Sequence, residues 1–429
     1  MSFNLNKMQS ANEIFQGQTI TSSATKKRKM SVIVEEICID IPIVDNKEFR
    51  MDLITRIEAV TLEIIKQISI GQPPCISYCR ERNVTTDSSL QKENFCAEYS
   101  TNLRPNTASN DSLFDYANEH QDTREENHFQ NSKKSINFAV KSSRNKFTLM
   151  VMIMSEAHRL LLTNTTKTKR SFYYDLKNEI PKKLMPHQRC IDCAVNSVAN
   201  LLECAPWDLR LLPTAKGLVA GNMTITLRDN RIIDCAILGG AQIPQIIFNV
   251  TSIRVKANFV LVIEKDAIFQ KLLEENCHCI LKCILVTGKG YPDINTRMLV
   301  NILSEKIGLP VYIIVDADPF GVDIMLLYRF GSSTLSRQND RLACPNARWL
   351  GIHPSESIIL GMKTISLTKT DCVKLRSIES RTCINDVISK ELRILRKGKA
   401  NIEALYSPFT KNFLTAKYLP CKIDGKKFI

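Results

Sequence analysis

Residues 311–321 of the 429-residue chain read VYIIVDADPFG. The apolar run at the start of this stretch predicts a buried β-strand, because a strand with one solvent-exposed face would alternate apolar and polar residues. Asp316 and Asp318 then follow two positions apart, and Gly321 lets the chain turn tightly toward the next helix. The stretch therefore predicts a buried strand that ends in two acids.

The same order of apolar strand and helix repeats around this stretch. Strand-like runs are FVLVIE (259–264), CILVTG (283–288) and VYIIVDAD (311–318). Helical runs are KDAIFQKLLEEN (265–276), INTRMLVNILSEKIG (294–308) and VDIMLLYRFG (322–331), the last of which ends at a glycine suited to a helix stop. Apolar strands that alternate with helices predict a parallel α/β sheet from about residue 257 onward.

Glu264, Asp316 and Asp318 stand at the carboxyl ends of two predicted strands, which is where the working groups of such sheets cluster. Three carboxylates at one edge repel one another unless a cation lies between them. Oxygen ligands of this kind suit Mg²⁺, which also takes phosphate oxygens from a substrate. The three acids are therefore a candidate Mg²⁺ site.

Two other interpretations of these acids stay open. Each acid could merely cap a helix or face solvent, and for a single acid that is the better interpretation. An apolar strand followed by Asp-x-Asp also opens phosphatases of the haloacid dehalogenase type, in which the first Asp is the nucleophile. Those enzymes have Thr or Val where this chain has Phe320, and their motif comes early in the domain, so the metal site is favoured.

Upstream, three helical stretches precede two strand-like runs. The helices are expected over 147–162, around Tyr173 and over 189–203, and the strands NMTITL (222–227) and RIIDCAI (231–237) are joined by the turn RDN. Three helices followed by a β-hairpin is the order of a winged helix-turn-helix, a CAP-like architecture that docks on DNA, although many winged helices bind protein. The expected fold class is thus a mainly-α winged-helix domain followed by an α/β domain.

The N-terminal region has its own pattern. Apolar residues recur at three- and four-residue steps from Phe49 to Ile70, which predicts an amphipathic helix that begins near Asp45 or Asn46. Residues 85–135 are rich in polar residues and predict a disordered linker, so the helix is expected to stand apart from the main body, as a partner-docking helix would. The basic run KKRK (26–29) lies in a polar tail and is typical of a nuclear-import signal or of a solvated charge run.

Composition narrows the class of protein. The net charge of +14 and the pI of about 9.1 favour a polyanionic partner such as nucleic acid. No apolar run approaches the roughly 18 residues of a membrane helix and no secretory pattern opens the chain, so a soluble intracellular protein without a membrane partner is expected. Two groups resemble zinc ligands, Cys190 with Cys193 and the cluster at 277–283, but neither has a second half at zinc-finger spacing.

Taken together, these motifs resemble a known family. The Toprim domain of type IIB topoisomerase A subunits, a Rossmann-like metal-binding fold, carries motifs similar to IEKDA (263–267), GKGYPDINTR (288–297) and VDADPFG (315–321). The meiotic double-strand-break proteins of the Spo-eleven family resemble the chain still more closely. TKRSFYYDL is similar to their nucleophile motif, and their other signatures are similar to AKGLVAG (215–221), ARWLGI (347–352) and YLPCKI (418–423).

By this resemblance Tyr174 is the nucleophile and Arg170 is the catalytic arginine, while the three acids hold Mg²⁺. The residues themselves agree with these roles. Positions four apart share a helix face, so a guanidinium and a phenol could reach one phosphate together. A free phenol, with a pKa near ~10, attacks poorly at neutral pH without such help. Tyr173 would point elsewhere on the helix and pack.

The resemblance further implies a nuclear DNA transesterase that makes double-strand breaks through 5′-phosphotyrosyl links and so starts meiotic recombination. It implies a homodimer on double-stranded DNA, in which the tyrosine of one protomer faces the carboxylates of the other. It also implies a topoisomerase VI B-type partner that grips the N-terminal helix. The alternatives are a true type IIB topoisomerase, which reseals the break and belongs to the ATP-hydrolysing class when partnered, and a catalytically idle DNA-binding scaffold.

The expected domain order combines the pattern and the resemblance. It is a basic disordered tail (1–46), a docking-helix region (47–84), a polar linker or insertion (85–136), a winged-helix domain with the catalytic tyrosine (137–244) and a Toprim domain with a C-terminal extension (245–429).

Overall fold

The structure is a computed structural model that describes residues 35–41, 47–80, 132–179, 184–405 and 412–429. The basic run at 26–29 and most of the expected linker lie outside the described residues. Three apolar cores organise the described chain. One lies among the helices before residue 212, and the other two include side chains from the opposite faces of a central sheet.

The first part of the described chain combines long helices with short strands. In chain order, its elements are β1 (Ile37–Asp40), α1 (Lys47–Ser69), β2 (Cys75–Arg80), β3 (Ser132–Asn137), α2 (Lys141–Leu162), β4 (Lys167–Thr168), α3 (Lys169–Glu179), α4 (Arg189–Leu201) and β5 (Leu211–Leu212). The three helices expected after residue 137 are confirmed as α2, α3 and α4. Strands β2 and β3 pair in antiparallel fashion, which brings together the two ends of the polar segment between them.

Helix α1 does not stand apart from the main body, so that expectation is wrong. Its buried side chains are Leu53, Ile54 and Ile57, and they share a core with Met150 of α2. Arg56 also donates a hydrogen bond to the carbonyl of Leu202 at 2.8 Å. The first half of α1 is therefore part of the helical core, because its apolar stripe continues into residues that only α2 and its neighbours can cover.

A second group of elements forms the wing and the edge of the next domain. They are β6 (Leu218–Ala220), β7 (Met223–Leu227), β8 (Ile232–Asp234), β9 (Ala241–Gln242), α5 (Ile246–Asn249) and β10 (Val250–Val255). The predicted hairpin is confirmed as β7 and β8, with Asn230 of the RDN turn at a φ of 63°. These strands lie in a four-stranded sheet of order β1-β10-β7-β8. Residues 37–40, which were expected to belong to a disordered tail, therefore form a sheet strand.

The central sheet follows from residue 259 onward. Its further elements are β11 (Phe259–Ile263), α6 (Asp266–Glu274), α7 (Cys277–Ile280), β12 (Cys283–Thr287), α8 (Ile294–Asn301, continued by a π-helical turn at Ile302–Lys306), β13 (Val311–Ile314), α9 (Pro319–Phe330) and α10 (Asn339–Leu342, after a 3-10 turn at Ser333–Gln338). Gly331 ends α9 at a φ of 80°, as predicted. Each predicted strand and helix of this region is present.

The strand order of the central sheet is β14-β13-β11-β12-β6-β9, where β14 is Arg348–Gly351. The strands from β14 to β12 are parallel, as predicted. Strands β6 and β9 extend the sheet in antiparallel fashion. The sheet is therefore mixed rather than parallel throughout, and it takes two strands from the region expected to be the winged-helix domain.

The C-terminal part packs against this sheet. Its elements are α11 (Pro354–Ile359), α12 (Lys369–Glu379), α13 (Asp386–Leu395), a 3-10 turn (Ile402–Leu405), a π-helical turn (Leu414–Tyr418) and α14 (Leu419–Asp424). Lys422 of α14 is buried and its ammonium group lies 2.6 Å from Glu356 of α11. A buried ammonium without a partner would be costly, so this ion pair fixes where α14 can dock.

Candidate active site

Helix α3 is held at its start by backbone pairing and a cap. Strand β4 pairs with β5 in parallel, so the chain enters α3 from a fixed direction. Thr168 then accepts a hydrogen bond from the backbone of Ser171 at 3.0 Å, as a helix-capping hydroxyl does. Phe172 and Leu176, four positions apart, are buried in the helical core. The face of α3 that carries residues 170 and 174 must then point away from this core.

Arg170 and Tyr174 occupy that outer face. Both side chains are exposed, Tyr174 to 47%, and the guanidinium carbon of Arg170 lies 5.9 Å from the centre of the Tyr174 ring. Tyr173 is half-buried, packs against the helical core and contacts the Tyr174 ring edge-on at 5.5 Å between centroids. The arrangement leaves one phenol and one guanidinium free to approach the same phosphate group.

The three acids meet at the carboxyl edge of the central sheet. Glu264 directly follows β11, and Asp316 and Asp318 follow β13, which is the neighbour of β11. Glu264 Oε2 accepts a hydrogen bond from the backbone N–H of Asp316 at 2.9 Å. Asp318 Oδ1 accepts one from Gly321 at 2.6 Å and caps α9, so the capping role considered for these acids holds for Asp318.

Gly321 is needed for space rather than for turn geometry. A Cβ at this position would lie 2.5 Å from the carbonyl oxygen of Asp316 and 3.0 Å from Glu264 Oε2. The first turn of α9 can therefore approach the acids only because the residue has no side chain. The sequence predicted that Gly321 matters here, and the structure supplies a different physical reason.

Asp316 is the most occupied of the three acids. Its Oδ1 accepts a hydrogen bond from the backbone of Ile402 at 2.9 Å, and its Oδ2 lies 2.7 Å from Lys265 Nζ. Lys265 also contacts Glu403, at 2.9 and 2.8 Å from the two carboxylate oxygens. Lys265, Ile402 and Glu403 were not predicted from the sequence. The lysine stands next to Glu264 in IEKDA, but nothing in the sequence pairs it with residue 403.

Burial and mutual repulsion raise the pKa of these carboxyl groups. The pKa of Glu264 rises from an ordinary 4.5 to about 8, first because it is buried and then because Asp316 and Asp318 are near. Burial is also the main cause of the raised pKa of Asp316 and of Asp318. A divalent cation would reverse both effects, since it favours the charged form of every carboxyl group that it contacts.

This shift predicts an inverse effect of pH on the metal-free protein. Between the ordinary pKa of 4.5 and the folded pKa of about 8, the folded state holds a proton that the unfolded chain has lost. The free energy of unfolding must then fall as pH rises through this window, and we expect Tm to drop by about 2 °C or more between pH 6 and pH 8 in EDTA. Mg²⁺, which needs the ionised carboxylates, should raise Tm more at pH 8 than at pH 6.

Glu264→Gln is the control for this prediction, because it removes the titrating group and keeps the side chain's shape. Its Tm in EDTA should change less with pH than that of the unaltered protein, as differential scanning fluorimetry would measure. Equal pH slopes for the two proteins would contradict the assignment of the effect to Glu264.

A second loop supports the acids from the β12 side. Gly290 donates a backbone hydrogen bond to the carbonyl of Glu264 at 2.9 Å. Asp293, at the end of the same loop, accepts hydrogen bonds from the backbone of Lys216 at 2.9 Å and of Gly217 at 3.2 Å. The motifs AKGLVAG and GKGYPD therefore meet in space, and Asp293 joins them. This role of Asp293 was not predicted from the sequence.

Gly217→Ala is expected to destabilise the protein by about 1–3 kcal/mol, as overpacking does. The added Cβ would lie 2.0 Å from Thr296 Oγ1 and 3.1 Å from the carbonyl oxygen of Thr287, so the loop would have to leave Asp293. Chemical denaturation followed by circular dichroism measures the change. An unaltered midpoint would show that the loop can shift without cost.

The donor set fits a divalent cation. All three side chains are carboxylates, and Glu264 Oε1 and Asp318 Oδ2 accept no hydrogen bond from any described residue. As the described side chains stand, no group of three or more His, Cys, Asp or Glu, including the cysteine groups at 190–193 and 277–283, is arranged to hold a metal ion. Asp316 is bound by Lys265 instead, so metal binding would require this lysine to move.

The tyrosine and the acids belong to different parts of the chain. Helix α3 packs in the helical core, whereas β11 and β13 contribute to the two cores on the central sheet. Among the described residues, no hydrogen bond or ion pair joins Arg170 or Tyr174 to any of the three acids. Within one chain, the structure brings together Arg170 with Tyr174 and the acids with one another, as two separate groups.

Comparison with known proteins identifies the family of this arrangement. Residues 259–423 match the family model for the Toprim domain of Spo11 and of the topoisomerase 6 A-type protein, and residues 145–211 match the model "Type IIB DNA topoisomerase". Meiotic recombination protein SPO11 of Homo sapiens is 38% identical over 291 residues, which cover 66% of this chain and 72% of the human protein. The chain belongs to the Spo11 and topoisomerase 6 A-type family.

Other members of the Spo11 family match to a similar extent. A meiotic recombination protein of Drosophila melanogaster is 36% identical over 69% of this chain and 88% of its own length. The A-type component of DNA topoisomerase 6 from Arabidopsis thaliana is 32% identical over 68% of this chain and 69% of its own. Tyr174 lies in the range that matches the type IIB model and the three acids lie in the Toprim range. Both groups are therefore inside the part of the chain that defines the family.

The matches also name the central sheet and its surroundings as a Toprim domain, as the motifs suggested. Among the helices of the described residues, none combines the length and the apolar character that a membrane crossing requires.

Proposed function

We propose that this member of the Spo11 family cleaves both strands of duplex DNA by transesterification and so makes the double-strand breaks that start meiotic recombination. The observation that carries the proposal is the exposed pair of Arg170 and Tyr174, in a chain that also gathers three acids at the edge of a Toprim sheet. The animal relatives with 36–38% identity are named meiotic recombination proteins, which favours meiosis as the setting. Action on chromosomal DNA implies a nuclear location.

In the proposed reaction, the phenolic oxygen of Tyr174 attacks the phosphorus of a backbone phosphodiester. The new bond joins phosphorus to this oxygen while the bond to the 3′ oxygen breaks. The phenolic proton passes to solvent and the departing 3′ oxygen takes up a proton, which leaves a 5′-phosphotyrosyl link and a 3′ hydroxyl. Arg170 donates hydrogen bonds to the nonbridging oxygens and so stabilises the charge that builds up on them.

Glu264, Asp316 and Asp318 would hold Mg²⁺ in this site. Bound there, the ion would supply positive charge to the phosphate and to the departing 3′ oxygen. The protein's part is to keep the carboxylates in place. The backbone N–H groups of Ile402 and Gly321 orient Asp316 and Asp318, and the backbone N–H of Asp316 orients Glu264. Preorganised ligands of this kind avoid a reorganisation cost when the ion binds.

The functional unit is proposed to be a homodimer with composite sites. Two strands need two nucleophiles, and each chain has one exposed tyrosine on α3 at the matching position. The absence of a described contact between Tyr174 and the acids of its own chain favours the arrangement in which the phenol of one protomer reaches the acids of its partner. The net charge of +14 supports binding of the duplex between the two protomers.

The second half of α1 is the proposed docking surface for a B-type partner protein. Leu62, Ile65 and Ile68 are each more than half exposed, at 57%, 54% and 56%. Beside them lies a groove of about 740 Å³ whose walls include Lys66 and Pro73. An exposed apolar stripe next to a groove suits a protein partner rather than solvent. The relatives named as A-type components of topoisomerase 6 support a partner of the B type.

A type IIB topoisomerase that reseals the break is the second candidate function. The identity of 32% to the Arabidopsis thaliana topoisomerase 6 protein favours it, and the same five residues would serve both reactions. Strand passage by the protein together with an ATP-hydrolysing B-type partner distinguishes the two. A catalytically idle scaffold is disfavoured, because it would have no need of an exposed arginine–tyrosine pair and a set of buried acids.

The test of the proposal is denaturing capture of DNA-linked protein. The protein, with its B-type partner, is incubated with duplex DNA and Mg²⁺, denatured and recovered on the DNA, and the linked peptide is mapped. We expect the link at Tyr174 and at the 5′ end of the broken strand. A broken duplex without linked protein would contradict the mechanism.

A further inference from the structure

Lys265 occupies the position where a cation is expected at the acids. Its ammonium group lies 2.7 Å from Asp316 Oδ2 and so supplies the positive charge that this buried carboxylate needs in the metal-free protein. With Ile402 bound to Oδ1, both oxygens of Asp316 are engaged. Glu264 and Asp318, in contrast, each keep one oxygen without a hydrogen bond from the described residues.

The ammonium group and a divalent ion compete for Asp316. Two cations held by one carboxylate repel each other strongly in a partly buried site, because the low dielectric weakens screening. Full coordination of an ion by Asp316 therefore requires Lys265 to withdraw. A lysine side chain can do this, since its four-carbon stem is flexible.

Glu403 provides the place to which Lys265 can withdraw. Its carboxylate already lies 2.8 Å from the ammonium group, and its side chain is 44% exposed while that of Asp316 is 4% exposed. A move toward Glu403 keeps the lysine paired and brings it nearer to solvent. The position of Glu403 is fixed by the same strand end, because Ala400 and Ala317 exchange backbone hydrogen bonds at 3.0 Å.

We propose that Lys265 is a positioning residue that holds Asp316 in the metal-free protein and releases it to the divalent ion by transferring to Glu403. The inference rests on the proposed metal site. It makes the Lys265–Glu403 pair a determinant of metal affinity although neither residue is a metal ligand. It also lets the site stay charge-balanced before the ion and the DNA phosphate arrive.

The test measures Mn²⁺ binding to the full-length, DNA-free protein from the loss of the free-ion electron paramagnetic resonance signal, with Mg²⁺ as competitor. Lys265→Met should bind Mn²⁺ about tenfold more tightly, because the competing cation is gone, and should have a lower Tm in EDTA. Glu403→Gln should bind Mn²⁺ more weakly, because Lys265 then has only Asp316 as a partner. Glu403 is a half-exposed surface residue, so this variant keeps the test valid even if Lys265→Met folds poorly.

The double variant Lys265→Met/Glu403→Gln completes the test. Without the lysine, loss of Glu403 should leave Mn²⁺ affinity within about twofold of Lys265→Met, because the proposed coupling between the two residues is gone. If the unaltered protein binds Mn²⁺, Asp318→Asn abolishes binding and Lys265→Met fails to tighten it, the role of Lys265 is overturned while the metal site stands. If neither the unaltered protein nor Lys265→Met binds Mn²⁺, the metal site itself is overturned.

Discussion

Tyr174→Phe is expected to abolish the covalent link between protein and DNA while leaving DNA binding intact. The substitution removes only the phenolic oxygen, which is the attacking atom, and the ring remains on the exposed face of α3 beside Arg170. Adduct formation should fall by about 10⁴-fold or more, as expected when an enzyme loses its nucleophile. Denaturing capture measures the adduct, and an electrophoretic shift assay measures binding.

Tyr173→Phe is the matched control, because it removes the same atom from the adjacent residue. Tyr173 packs against the helical core and its ring contacts the Tyr174 ring. Adduct formation by this variant should stay within about threefold of the unaltered protein, since surface-level changes that keep the packing are usually small. Adducts that persist in Tyr174→Phe but vanish in Tyr173→Phe would reassign the nucleophile.

Asp318→Asn is expected to have the second largest effect. It removes one negative charge from the acids and should raise the Mg²⁺ concentration needed for half-maximal cleavage by about 100-fold. The fold should survive, because asparagine caps a helix as well as aspartate does and the bond to Gly321 can be kept. Cleavage across a Mg²⁺ titration measures the effect, and Tm measured in EDTA checks the fold.

Asp266→Asn tests whether any charge at this sheet edge has the same effect. Asp266 opens α6 two residues after Glu264 and makes only an exposed ion pair with Lys289 at 3.4 Å. Exposed pairs of this kind contribute little, so the Mg²⁺ dependence of this variant should match the unaltered protein. An equal loss in both variants would mean that Asp318 acts through the general field of the edge rather than as a ligand.

The alternating part of the fold could be predicted from the sequence because its signals are local. The run VYIIV is apolar throughout since β13 is covered on both faces, and Gly331 marks the end of α9. Strands β6 and β9 could not be predicted in the same way. They have three and two residues, too few for a periodic pattern, and they are strands only because β12 offers them an edge.

The N-terminal errors have a similar cause. Strand β1 is four residues of a polar region, and its partner β10 lies more than two hundred positions later, so nothing nearby in the sequence indicates it. The amphipathic pattern of α1 was recognised, but a pattern gives the apolar face and not what covers it. The first half of that face is covered by α2, and the exposed side chains of the second half follow where α2 no longer does so.

The same limit applies to the candidate site. The spacing of Arg170 and Tyr174 placed them on one helix face, and the strand ends brought Glu264 to Asp316, because helices and parallel strands have fixed geometry. The contacts of Asp316 with Ile402 and Lys265 depend on how the C-terminal segment folds back over the sheet. No periodicity encodes such a contact, since it is set by tertiary packing alone.

Mixed dimers test the central claim, that the phenol of one protomer works with the acids of the other. A Tyr174→Phe chain and an Asp318→Asn chain carry different tags, and the mixed dimer is isolated by sequential purification on both tags. One of its two composite sites then has an intact tyrosine and intact acids, and the other has neither. We predict single-strand nicks with a covalent link on the Asp318→Asn chain, and no cleavage by either variant alone. A mixed dimer that does not nick DNA, although it binds DNA and Mg²⁺, would contradict the composite site.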